Sequence, residues 1–147
     1  MKLSTRARYG TRALLDLALH ADSGPVRLKD IARRQDVSLQ YLEHLVAPLI
    51  GAGLVSSIRG PRGGLVLGKR AGEIKMSQVV EVLEGSTAPV ECVTNPDTCN
   101  RSATCAVRDL WVEIKDTVDG VMASLTLAEM VERQKKKEET KAEMYFI

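Results

Sequence analysis

Three cysteines, Cys92, Cys99 and Cys105, are separated by six and five residues within one short polar stretch. An odd number of thiols does not make a disulfide framework, and the spacing lacks the paired C-x2-C knuckles typical of structural zinc. Several thiolates in one loop suit a soft metal centre, and iron–sulfur clusters accept looser spacing than zinc sites do. On spacing alone, a cluster, a zinc ion, redox-active thiols and metal-free cysteines all stay open.

The second chemical signature is charge. The net charge is only +2, but residues 1–70 hold 12 Lys/Arg against 5 Asp/Glu, net +7, and residues 71–147 hold 9 against 14, net −5. A basic half suits a polyanion and an acidic half suits being held away from it, so nucleic acid is a better partner than a membrane surface or an acidic substrate. Aromatic residues make up 3% of the chain, too few for the stacking platforms that read single strands. Duplex DNA is therefore the expected ligand.

The elements that would present these residues follow from hydrophobic period and turn chemistry. Ala7, Leu14, Leu15, Ala18 and Leu19 recur at helical spacing between Ser4 and His20, and Asp22-Ser23-Gly24-Pro25 ends that helix. A short helix is expected over 28–34, then a turn at Gln35-Asp36-Val37-Ser38, with Ser38 capping a further helix over 39–52. Asp36 falls where this turn needs left-handed backbone, which Asp tolerates better than most residues. Leu54 to Ile58 and Leu65 to Leu67 flank the Gly/Pro loop Arg59–Gly64 and predict a β-hairpin, a wing. Ser77 is expected to cap a helix that ends at Gly85, and 86–104 to form a loop. From Val107 to Leu125 apolar residues fall three and four apart over about five turns, a stripe best covered by the same helix of a second copy. A last helix carries Leu127, Met130 and Val131, followed by the charged run Lys135–Glu139 and the apolar end Met144-Tyr145-Phe146-Ile147.

The expected fold class is mainly α: a winged helix-turn-helix with a small β-hairpin wing, plus a long dimerisation helix. The division is 1–70 for the DNA-binding domain, 71–91 for a connecting helix, 92–106 for the cysteine loop, 107–125 for the dimerisation helix and 126–147 for a C-terminal helix and tail. In such an arrangement the second helix of the pair enters the major groove. Ser38, Gln40, Glu43 and His44 face base edges, with Leu42, Leu45 and Leu49 on the core side. Gln40 suits adenine, and Glu43 suits the cytosine amino group while repelling sites that offer it no donor. Arg59, beside Gly60-Pro61, is placed for a narrow minor groove, and Arg62, Lys69, Lys2, Arg6, Arg8 and Arg12 for phosphates.

Several motifs resemble the IscR-type iron–sulfur regulators of the bacterial Rrf2 family. They are Met1-Lys2-Leu3-Ser4, Arg8-Tyr9, the stretch from Asp30-Ile31-Ala32 to Tyr41-Leu42-Glu43, Gly53-Leu54-Val55, Arg59-Gly60-Pro61 with Gly63-Gly64, and the cysteine loop followed by Leu110-Trp111. The match runs to about Val131. It implies a dimeric, DNA-binding regulator whose cluster, held by Cys92, Cys99 and Cys105, reports iron–sulfur supply, with a 2Fe-2S form favoured. It also adds Tyr41 to the DNA-facing set and implies that Glu43 makes operator choice depend on cluster occupancy. In the best-known members a histidine three positions after the third cysteine is the fourth ligand; here that position is Arg108, which cannot bind iron. Relatives that sense nitric oxide use an acidic residue near the N-terminus, and the matching position here is Arg8. Asp109, Glu91, a residue of the other subunit or a small molecule remain as donors, and an open site would also suit a 4Fe-4S cluster.

At 147 residues with 44% hydrophobic and 27% charged residues, one packed domain is expected and a large multidomain enzyme is excluded. No signal-peptide pattern opens the chain and no apolar run nears the roughly 18 residues of a membrane span, so a cytoplasmic regulator with no small-molecule substrate is expected. The rivals are a nitric-oxide or redox-sensing regulator of the same fold and, from another class, an iron–sulfur electron carrier or thiol enzyme. The last is disfavoured because only two histidines are present and no nucleophile–base set is visible.

Overall fold

The computed structural model describes residues 2–146. Helix α1 spans Thr5–Leu19, and the Ser4 hydroxyl accepts from the Ala7 amide at 3.0 Å, satisfying one of the free donors of the first turn. Ala7, Ala13, Leu14 and Leu17 line its buried face. Helix α2 spans Leu28–Gln35 and ends on Asp36, whose backbone is left-handed at φ 53° and ψ 50°. Ser38 then caps α3, Leu39–Gly51, by accepting from the Tyr41 amide at 3.1 Å. Leu42, Leu45, Val46 and Leu49 point from α3 into the core.

Strands β1, Val55–Ile58, and β2, Gly64–Leu67, pair antiparallel with Val55 opposite Leu67 and Ile58 opposite Gly64. Val26, in the link between α1 and α2, exchanges both backbone hydrogen bonds with Leu65, at 2.9 and 2.7 Å. The wing is thereby attached to the helix-turn-helix by a third extended segment. Gly63 allows the tight return: a Cβ there would stand 2.1 Å from the Ile58 carbonyl oxygen, which leaves no room for any other residue.

Helix α4, Met76–Glu84, starts two residues earlier than the sequence suggests. Its cap position is Lys75, with the Gln78 side chain accepting from the Lys75 amide at 3.1 Å, and Ser77 lies inside the first turn. Main-chain bonds from Met76 to the Leu125 carbonyl and from Leu127 to the Ile74 carbonyl stitch this start to the chain between the last two helices. The stretch over 86–104 is not the featureless loop expected. It holds the short helix α5, Glu91–Thr94, and single 3-10 turns at Pro96–Thr98 and Ser102–Thr104, begun by Pro96 and by side-chain bonds such as Thr98 Oγ1 to the Asn95 carbonyl. Helix α6 spans Ala106–Ser124. Helix α7, Leu127–Tyr145, opens with a reciprocal cap between Thr126 and Glu129 and runs on through the lysine and glutamate run, so these residues are helical and not a tail. Intrahelical contacts such as Gln134 Nε2 to Glu138 Oε1 support that exposed part.

One continuous apolar core joins α1, α2, α3 and the hairpin to Ile74, Met76, Val79 and Leu83 of the α4 region and to Leu127 of α7. Gly10 lets α4 approach α1 closely, with Leu83 methyl carbons where a Cβ would be. A single charged residue is buried in this body: Asp16, 4% exposed. Its carboxylate accepts from Arg34 Nε and Nη2 and from Gln35 Nε2, while His20 Nδ1 lies 3.5 Å away. A buried carboxylate without such donors would be costly, so the pair locks α2 onto α1. Asp16→Ala should lower the unfolding free energy by about 1.5–3 kcal/mol, the range for hydrogen bonds to a charged group, as read from urea unfolding.

Candidate functional site

The exposed face of α3 carries the residues the sequence reading put there. Ser38, Gln40, Glu43 and His44 are exposed and Tyr41 is half-buried, while Leu42, Leu45 and Leu49 are fully enclosed. Ser38 has a structural duty as well, because its hydroxyl closes the first turn. Leu39, left out of that reading, is 45% exposed on the leading turn and offers an apolar contact beside the polar ones. Periodicity alone assigns a leucine to the core; only its place at the first helical position, beyond the reach of α1, marks it as free.

The wing loop presents Arg59, Gly60, Pro61 and Arg62, all exposed, with Gly60 at φ 111°. Lys2, Arg8 and Arg12 are exposed along α1 and its approach. Arg6 is differently employed: its Nε donates to the Leu83 carbonyl at 2.9 Å and ties α1 to α4, next to Glu84, which accepts from the Ser4 amide and hydroxyl. Helix α3, the wing and the start of α1 thus bring exposed cations together around one polar helix face, the electrostatic outline of a duplex-binding surface.

The cysteines lie on the far side of α4 in sequence, each half-buried and none disulfide-bonded. Cys92 is in α5, Cys99 closes the first 3-10 turn and Cys105 caps α6, its sulfur accepting from the Arg108 amide at 3.4 Å. Three free, half-buried sulfurs fit a soft metal centre in chemistry and exposure. Its geometry is open: among the described residues no three His, Cys, Asp or Glu side chains stand close enough to hold a metal ion. Each cysteine belongs to its own short element: α5, the end of the first 3-10 turn, and the cap of α6.

The stretch leading into the cysteine segment is fastened to α6 at two points. Arg108 Nε donates to the Cys92 carbonyl at 2.9 Å, so the residue at the expected fourth-ligand position acts as a strut between α5 and α6. Further along α6 the Thr87 hydroxyl donates to Asp119 at 2.6 Å, and Asp119 also pairs with Lys115. The Lys115 hydrogen bond, then that from Thr87, hold the Asp119 carboxyl below its ordinary value, and the same pair holds Lys115 above its own. Beyond this anchored side, α6 turns Val107, Leu110 and Val121 outward, 59%, 50% and 56% exposed.

A helix-turn-helix with a paired wing and an exposed basic reading face defines a winged-helix transcriptional regulator. The chain belongs to the Rrf2 family, described as iron-dependent transcriptional regulators, which it matches over residues 3–133. It is 44% identical over 131 residues to the protein rrf2 of Nitratidesulfovibrio vulgaris Hildenborough, covering 89% of this chain and 87% of that one. It is 41% identical over 134 residues to the HTH-type transcriptional regulator IscR of Photorhabdus laumondii, covering 91% and 81%. Among solved structures, CymR, the global cysteine regulator of B. subtilis, superposes with a TM-score of 0.77 at 41% identity, covering 90% of this chain and 98% of that one. T. potens IscR superposes with a TM-score of 0.76 at 37% identity, covering 91% and 88%. These similarities support an IscR-type member of a family of regulators, not enzymes. Among the described residues no helix is long and apolar enough to cross a membrane.

The depressed Asp119 carboxyl carries a sign. Its contribution to stability is complete above the ordinary carboxylate range and is lost as pH falls through its lowered value. Urea midpoints measured across acid pH should therefore fall more steeply for the native chain than for Asp119→Asn, which lacks the titrating group.

Proposed function

We propose that the chain is a homodimeric, cytoplasmic DNA-binding repressor that reports iron–sulfur supply and controls genes of iron–sulfur biogenesis. The observation that carries this reading is the position of three free, half-buried thiols on a stretch bonded through Thr87 and Cys92 to a helix that carries exposed apolar residues. The IscR-named relatives support the iron–sulfur assignment. Cys92, Cys99 and Cys105 would hold the cluster, 2Fe-2S by that likeness and 4Fe-4S as the other form compatible with a non-ligating Arg108. Bound there, it would supply a covalent link between α5, the following turns and α6, dependent on iron and oxidation state.

The chain's own residues do the rest. Val107, Leu110 and Val121 pack against their counterparts across a two-fold axis and set the separation of two reading heads. Arg108 and the Thr87–Asp119 bond carry the conformation of the cysteine segment to α6. Ser38, Gln40, Tyr41, Glu43 and His44 read the major groove, and Arg59, with Gly60, Pro61 and Arg62, follows the minor groove and backbone. Lys2 and Arg8 neutralise phosphates. A change in the cysteine segment alters DNA affinity to the extent that its two states space the heads differently.

A second reading, a regulator of the same fold that answers to a signal other than iron–sulfur supply, is favoured by the likeness to CymR, named as a global cysteine regulator. Protein purified without oxygen decides between them. The cluster reading expects a brown chain with visible absorption and a Mössbauer signal, lost in Cys92→Ala. A colourless chain that cannot be reconstituted yet regulates normally establishes the second reading. For DNA, Arg59→Ala should cost about 1–3 kcal/mol on an operator selected from a random-sequence library and relax discrimination at one position. Equal weakening on random duplex would contradict a groove-reading role.

A further inference from the structure

Beside the reading helix lies an aromatic and cationic cluster in which the proposed function gives Tyr9 and Arg12 no part. Tyr9 of α1 is half-buried and meets Tyr41 of α3 edge to face, with ring centroids 6.3 Å apart and planes at 78°. The guanidinium carbons of Arg8 and Arg12 lie 5.1 and 5.4 Å from the centroid of the Tyr9 ring. Both distances are within the reach at which a cation is attracted by a ring face. Arg8 Nη2 also donates to the Tyr9 hydroxyl at 3.4 Å, and Arg12 Nε donates to Gln35 Oε1 at 3.0 Å. Gln35 in turn donates to buried Asp16, so Arg12 is referred to the same anchor that locks α2.

Both arginines are exposed, and among the described residues neither is paired with a carboxylate. In a chain with 19 Asp/Glu, two cations held on one aromatic ring and left without counter-ions are a surface prepared for an external anion. Holding them in place beforehand spares rotamer entropy that two long side chains would otherwise lose on binding. The contact of Tyr9 with Tyr41 places this pair in fixed relation to the first turns of α3.

We propose that Tyr9 is a positioning residue of the DNA interface: its ring holds Arg8 and Arg12 as a paired clamp for backbone phosphates, set by Tyr41 in register with the reading helix. This rests on the reading that α3 enters the groove of a duplex. The ligand chemistry is the phosphodiester backbone, so the clamp acts on any sequence and steadies the head without specifying it.

The test is fluorescence anisotropy of the full chain on a mixed-sequence duplex over a series of salt concentrations. Arg8→Ala and Arg12→Ala should each reduce the salt slope by about one, the signature of a lost phosphate contact. Tyr9→Phe should bind almost as the native chain does, because the ring face is kept. Tyr9→Leu should weaken binding about five- to thirty-fold, the combined range for two exposed cation–ring contacts. The deciding quantity is coupling: Tyr9→Leu should cost clearly less in an Arg12→Ala background than in the native one. A purely structural role would weaken both backgrounds alike, so full additivity overturns the proposal even if Tyr9→Leu lowers stability. Native affinity in Tyr9→Leu would overturn it as well. If the native chain binds no duplex at low salt, it is the DNA reading itself that falls.

Discussion

The reading head is organised around one carboxylate that has been taken out of water. Asp16 sits in α1 among Leu14, Leu17 and the α2 contacts, and only the fork of Arg34 with the amide of Gln35 makes its burial tolerable. Apolar packing would hold α2 near α1 without choosing its rotation. The fork requires one rotation, and with Asp36 turning the chain in left-handed backbone, the direction of α3 follows. The orientation of the polar face that Ser38, Gln40 and Glu43 share is thus tied to an ion pair between α1 and α2.

Much of this was legible in the sequence because it depends on local rules. Apolar period placed α1, α3, α4 and α6 to within a residue or two, Ser4 and Ser38 are capping residues by type, and the Gly/Pro run between two apolar triplets marked the wing. What was not legible is what distant partners decide. Ser77 looks like a cap, yet the pairing of Met76 with Leu125 draws the helix start forward. The lysine and glutamate run after Val131 reads as solvated chain, whereas intrahelical pairs keep it helical. The α2 fork and the bridge of Val26 to Leu65 join residues far apart in sequence, and no spacing announces them.

The site divides in the same way. Exposure of Gln40, Glu43, His44 and Arg59 follows from helix period and a hairpin tip, and Cys92, Cys99 and Cys105 do fall on one segment beside α6. The short turns started by Pro96 and Ser102 that set each cysteine in its own element were not legible in the spacing. Arg108 was legible only as a residue that binds no iron. Its use as a strut to the Cys92 carbonyl needed coordinates. Arg8-Tyr9 was legible as a motif of resemblance, but the approach of Arg12 and Tyr41 to the Tyr9 ring needed coordinates.

The strand-like pairing of Val26 with Leu65 has a mechanical result. Because the hairpin is sewn to the link ahead of α2 and not only to the end of α3, it cannot pivot independently of the helices it accompanies. Helix α3 and the hairpin therefore travel as one stiff body, with a fixed angle between them. A displacement of this body moves it as a whole and finds no joint there at which to bend it.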